Sequence, residues 1–166
     1  MFQVKDHVVY GNHGICEVKA VGKLNMDAVD KDKIYYTLEP LYSQNNKIYT
    51  PVDNAKTSMR KAMTEEEAWE LIDGIPKQAM IEAADEKKRE QAYKEIMQKN
   101  DCDGWSRIIK TIYLKNQRRL SEGKRYTARD DTYLRAAEDF LFRELAAALN
   151  VDQAEIRRII AGRIKA

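Results

Sequence analysis

The spacing of apolar residues changes once along this chain. Up to about residue 63 they come in short runs with period two; beyond Met63 they recur every three to four positions. Val8-Val9-Tyr10 and Ile15 to Val21 are β-branched, aromatic-containing runs around Gly11-Asn12-His13-Gly14. Glycines that accept positive φ and an asparagine that tolerates it predict strand, tight turn, strand. The polar stretch Leu24 to Asp32 predicts an exposed connection. Lys33 to Glu39 alternates, with Ile34, Tyr36 and Leu38 on one face and Tyr35, Thr37 and Glu39 on the other, and Pro40 is expected to end the strand. After the turn cluster Ser43-Gln44-Asn45-Asn46, Lys47 to Thr50 forms a short strand stopped by Pro51, and Thr57 to Lys61 a last one.

Helical signals then take over. Thr64-Glu65-Glu66-Glu67 is a capping box, opening a helix that ends near Asp73-Gly74 before Pro76. A second helix is expected from Met80 or Asp85 to Lys99, with Ala92, Tyr93, Ile96 and Met97 as its apolar side. A third runs from about Trp105 to Ser121, and a fourth starts at Thr127 with a stripe of Tyr133, Leu134, Ala137, Phe140, Leu141, Leu145 and Leu149. Asp152 caps a fifth through Ile164. The expected class is α+β: a small Tudor-like or SH3-like β-barrel over residues 1–63, then a bundle of about five α-helices over 64–166.

Composition narrows the function by exclusion. Among 166 residues, 29 bases against 27 acids give a net charge of +2, with 34% charged and 8% aromatic residues: a folded, water-soluble composition. No apolar run approaches the roughly 20 residues of a membrane helix, and the first residues hold no export signal, so a cytoplasmic protein is expected. Cys16 and Cys102 stand far apart and are expected to be reduced. A Gly-rich phosphate loop, His-Glu-x-x-His and Gly-x-Ser-x-Gly are all missing from the sequence. His7 and His13 have no ligand-spaced partner. The expectation is a non-enzyme without metal, cofactor or small-molecule substrate.

Charge distribution says more than charge total. From Trp105 to Arg125 seven bases (Arg107, Lys110, Lys115, Arg118, Arg119, Lys124, Arg125) meet one acid, Glu122. At 100° per residue, Trp105, Ile108, Ile109, Ile112, Asn116 and Leu120 share one side of the third helix, and Arg107, Lys110 and Arg118 the other, with Leu114 among them. Two readings stand: a solvated basic face, or one that tracks the phosphates of a nucleic acid. On the β module, Tyr35, Thr37 and Tyr49 are candidates for a partner face, since a small sheet leaves edges open to strand addition.

The stretch Phe2 to Gly14, the segment Ile48-Tyr49-Thr50-Pro51-Val52-Asp53-Asn54, and the helical runs Ile108 to Lys115 and Ala136 to Leu145 resemble the CarD/CdnL family of bacterial transcription regulators. The resemblance spans roughly Phe2 to Leu149. It implies an N-terminal Tudor-like domain that docks on the RNA polymerase β subunit by strand addition, around Tyr35, Tyr36, Thr37, Leu38 and Tyr49. It implies also a helical domain that holds promoter DNA at the upstream edge of the bubble and stabilises the open complex. The cations assigned to that contact are Lys87, Lys88, Arg89, Arg107, Lys110, Lys115, Arg118, Arg119, Lys124 and Arg125. The β module is also similar to the polymerase-binding domain of transcription-repair coupling factors, although a helical bundle rather than a helicase follows it. Two places depart from the family: Lys5 stands where a glycine is usual, and the segment where family members carry the tryptophan that wedges at the minor groove reads Ala79-Met80-Ile81-Glu82-Ala83-Ala84, with no aromatic. Met80 or Ile81 is the aliphatic candidate for that wedge. The alternative from another class is a protein-only adaptor whose bundle binds a second protein.

Overall fold

The computed structural model describes residues 1–43, 45–54 and 56–165, so Gln44 of the expected turn cluster lies outside the described residues. The chain divides into two compact units, Met1–Ala62 and Met63–Ala166.

The first unit is a five-stranded antiparallel sheet: β1 (His7–Tyr10), β2 (Ile15–Gly22), β3 (Tyr35–Pro40), β4 (Ile48–Pro51) and β5 (Met59–Lys61). The spatial order is β4-β3-β2-β1-β5. No pairing joins β4 to β5 among the described residues, so the expected barrel is an open sheet with two edge strands. Its core is Val8, Tyr10, Cys16, Val18, Tyr36 and Leu38, the apolar phase of β1 to β3. The β1–β2 turn is a single 3₁₀ turn, Gly11–His13. Gly11 has φ +47°, and a Cβ there would lie 2.6 Å from Thr57 Cγ2. β3 ends at Pro40, as expected, and Pro40 is its last paired residue, opposite Cys16.

The second unit holds α1 (Glu65–Gly74), a 3₁₀ turn (Ile75–Lys77), α2 (Glu86–Lys99), α3 (Cys102–Ser121), α4 (Ala128–Leu149) and α5 (Gln153–Lys165). Thr64 and Glu67 close the capping box with reciprocal 3.1 Å hydrogen bonds. Asn100 and Asn150, in left-handed conformation, terminate α2 and α4. Between the 3₁₀ turn and α2, residues 78–85 form a strap without helical structure. The helix α3 is central: Trp105, Ile108, Ile109 and Ile112 are buried, and Trp105 stacks on Phe140 with centroids 5.3 Å apart. Gly104 lets α2 come close, for a Cβ there would sit 2.6 Å from Ile96 Cγ2. Leu120, assigned to the apolar side, is exposed near the end of α3.

One departure from the family pattern carries a cost. Lys5 adopts φ +78°, and its N–H donates to the Val18 carbonyl at 2.8 Å, so the turn into β1 requires the left-handed conformation. A side chain pays about 1 kcal/mol there. Lys5→Gly is therefore expected to raise the unfolding free energy by up to about 1 kcal/mol in urea denaturation, and an unchanged midpoint would refute the strain.

Candidate nucleic-acid and polymerase interfaces

The amine of Lys110 fixes the geometry of the helical unit's groove. Its Nζ donates to the carbonyls of Ile75 (2.7 Å), Pro76 (3.1 Å) and Gln78 (2.7 Å). An ammonium has three N–H donors, and here three carbonyls meet them. The neighbouring positions on α3 continue the seam. Arg107 Nε donates to the Ala79 carbonyl at 3.2 Å, and Thr111 Oγ1 accepts the Ile81 N–H at 2.9 Å. Ser106 and Gln78 exchange side-chain hydrogen bonds of 2.8 and 3.1 Å. The strap therefore covers the part of the expected phosphate face that holds Arg107 and Lys110, while Arg118, further along it, is exposed. Lys110 is only 7% exposed, so it is not available as a phosphate ligand. Sequence periodicity found two faces on α3 but could not show that the strap covers part of the basic one.

Further along, the strap, α2 and α3 enclose an open groove of about 620 Å³ lined by Met80, Ile81, Glu82, Ala83, Arg89, Thr111, Leu114, Lys115 and Arg118. The two wedge candidates separate here. Ile81 is buried and its backbone is tied to Thr111, whereas Met80 is 39% exposed. The wedge assignment to Ile81 is thus corrected: its side chain belongs to the interior, and Met80 is the exposed apolar one.

The remaining cations sort by their partners. Asp130, almost wholly buried, accepts from Arg119 at 2.7 Å and lies 3.0 Å from Lys115 Nζ. Lys115 also reaches Glu86 at 3.3 Å, and Arg89 pairs with the same Glu86. Burial pushes the Asp130 carboxyl up, but hydrogen bonds from Arg119 and Lys115 outweigh it and hold it below the usual aspartate range. Burial and the nearby Asp130 charge push the Tyr93 phenol up to about 12. Lys115, Arg119 and Arg89 are thus partly neutralised within the unit, while Lys87, Lys88, Arg118, Lys124 and Arg125 are exposed. Lys124 lies 3.3 Å from Glu122. Sequence reasoning missed Tyr126, an exposed aromatic that directly follows Lys124-Arg125 in the loop before α4.

In the sheet unit, the five candidate residues split between an interior and an edge strand. Tyr35, Tyr36, Thr37 and Leu38 are all buried, and β3 pairs with β2 on one side and β4 on the other. Their backbone groups face neighbours already, so β3 cannot accept another strand, and the expected exposed phase of Tyr35 and Thr37 is corrected. The phenol of Tyr35 accepts from the Asp30 N–H at 3.2 Å. Tyr49 lies on β4, an edge strand, and is exposed.

Residues 2–63 match the family described as the CarD-like/TRCF RID domain. The sheet unit is a CarD-like/TRCF RID domain. The RID domain makes the chain consistent with a CarD/CdnL-like family protein, an RNA-polymerase-interacting, transcription-related protein. No curated protein matches the chain. Among the described residues, no helix is long and apolar enough to cross a membrane.

Two variants separate structural from exposed cations. Lys110→Met is expected to lose about 2–3 kcal/mol of stability, through unpaired carbonyls, and to leave the salt slope of any DNA binding unchanged. Arg118→Ala should change stability by less than about 0.5 kcal/mol and lower that slope by about one unit. Denaturation and salt titration read both, and the reverse pattern would overturn the assignment. Asp130, whose folded value is depressed, stabilises fully above the ordinary aspartate range and loses that contribution as pH falls through the folded value. Asp130→Asn should cost about 3 kcal/mol at pH 7 and flatten the acid limb of the stability curve, measured by urea denaturation at pH 7 and pH 3.

Proposed function

We propose that this protein is a bacterial, cytoplasmic transcription regulator that works by binding and not by catalysis. The RID domain docks on the RNA polymerase β subunit, and the helical unit holds promoter DNA at the upstream edge of the bubble, lengthening the life of the open complex. The edge strand β4 supports strand addition: it borders only β3 in the sheet order, and Tyr49 stands exposed on it. The observation that carries the DNA half is the groove of the helical unit, with Met80 at its lip and Arg118 and Arg89 in its wall. An aliphatic side chain there can press between base steps while cations hold the backbone. Lys87, Lys88, Arg118, Lys124 and Arg125 carry the phosphate contacts, fewer than sequence alone assigned. Weak affinity for free DNA suffices, because docking on polymerase raises the local concentration to about millimolar over a short tether.

The adaptor reading gains from one specific observation: Lys110, Lys115 and Arg119 are engaged by the protein itself. Binding of a promoter fork that weakens steeply with salt favours the DNA reading, and salt-insensitive capture of a protein by the bundle favours the adaptor.

Tyr49→Ala in the full chain is expected to weaken retention by the β-subunit lobe about tenfold, as for an aromatic anchor worth 1–2 kcal/mol. Arg118→Glu with Arg125→Glu should leave that retention intact and shorten open-complex lifetime. An unchanged lifetime would remove these cations from the interface.

A further inference from the structure

Away from the groove, α1 and α5 form a second surface that neither role above uses. Trp69 of α1 is 38% exposed, unusual for so large an apolar side chain. It lines a shallow depression of about 410 Å³ with Arg158, Ile159, Gly162 and Arg163 of α5. A Cβ added to Gly162 would meet nothing within 4 Å, so the helix presents a notch there.

The two banks of this depression carry opposite charge. From Thr64 to Gly74 the chain has Glu65, Glu66, Glu67, Glu70 and Asp73 and no base. Helical spacing puts Glu65, Glu66 and Asp73 on the side of Trp69. The other bank, on α5, brings Arg158 and Arg163 to the depression, Arg158 also pairing with Glu155 of its own helix. Asp73 and Arg163 already bridge the banks at 2.9 Å. An acidic helix at the rim disfavours a nucleic acid. A surface with one negative and one positive bank is instead complementary to itself under a twofold rotation, which sets each α1 against the opposite α5.

We propose that this face binds a second copy of the chain in an isologous contact. Trp69 of each copy packs over Gly162 and Ile159 of the other, and Glu66 faces Arg158 across the axis in both directions. Two helices of 10 and 13 residues offer less than the roughly 800 Å² per partner of a standard interface. The dimer is therefore weak, concentration-dependent and loosened by salt.

Sedimentation velocity of the full chain from about 1 to 300 μM in low salt tests this, and does not depend on the polymerase or DNA reading. The weight-average mass should rise toward the dimer with concentration and fall back in high salt. Trp69→Glu should remain monomeric. Glu66→Lys and Arg158→Glu should each shift the midpoint to about tenfold higher concentration, and the double variant should restore it. A monomer at every concentration overturns the proposal. So does a dimer indifferent to Trp69→Glu, or a monomer whose polymerase retention is lost on Trp69→Glu, which would give the face to that partner.

Discussion

The helical unit is organised by one buried ammonium. Lys110 sits in the middle of α3 and meets the carbonyls of Ile75, Pro76 and Gln78 where the 3₁₀ turn ends, the Ile75 carbonyl also accepting the Gln78 N–H. Buried carbonyls without donors are costly, and a chain leaving a helical turn has several to satisfy. A neutral side chain at that position could meet fewer of them. With Arg107, Ser106 and Thr111 continuing the seam, residues 78–81 acquire a fixed path without forming a helix or strand. That path is why Ile81 points inward while Met80 stands at the lip of the groove.

The same principle governs the charges. A basic run with one acid in 21 residues looks like a surface made for phosphate, yet the acids that answer it come from elsewhere in the chain. Asp130 on α4 and Glu86 on α2 gather Lys115, Arg119 and Arg89. Burial makes the Asp130 carboxylate dependent on those partners, and their hydrogen bonds keep it ionised. The opposite balance holds at Glu138: burial raises its carboxyl despite Arg157 at 2.8 Å and Tyr113 at 3.2 Å. What remains exposed is a smaller set of cations around the groove and the loop after α3.

In the RID domain, position in the sheet decides what each strand can offer. A central strand has both rows of backbone groups engaged; an edge strand has one row free. Alternation along β3 described its faces but not its place in the sheet. Ile34, grouped with Tyr36 and Leu38 by period two, is exposed because the strand begins only at Tyr35.

Sequence by itself determined the elements whose cause is local. The capping box at Thr64, the β1–β2 turn at Gly11, and the change of period near Met63 all act over a few residues, so short windows reveal them. The likeness to the RID domain, over residues 2–63, is likewise a property of the sequence alone. Only the tertiary structure decided which cations are exposed, which strand is an edge, and which of Met80 and Ile81 faces outward. Those outcomes rest on partners 20 to 40 positions away: Ile75 and Gln78 for Lys110, Glu86 for Lys115, Thr111 for Ile81. A periodic pattern states which side of a helix or strand a residue occupies, but not what the rest of the chain lays over that side.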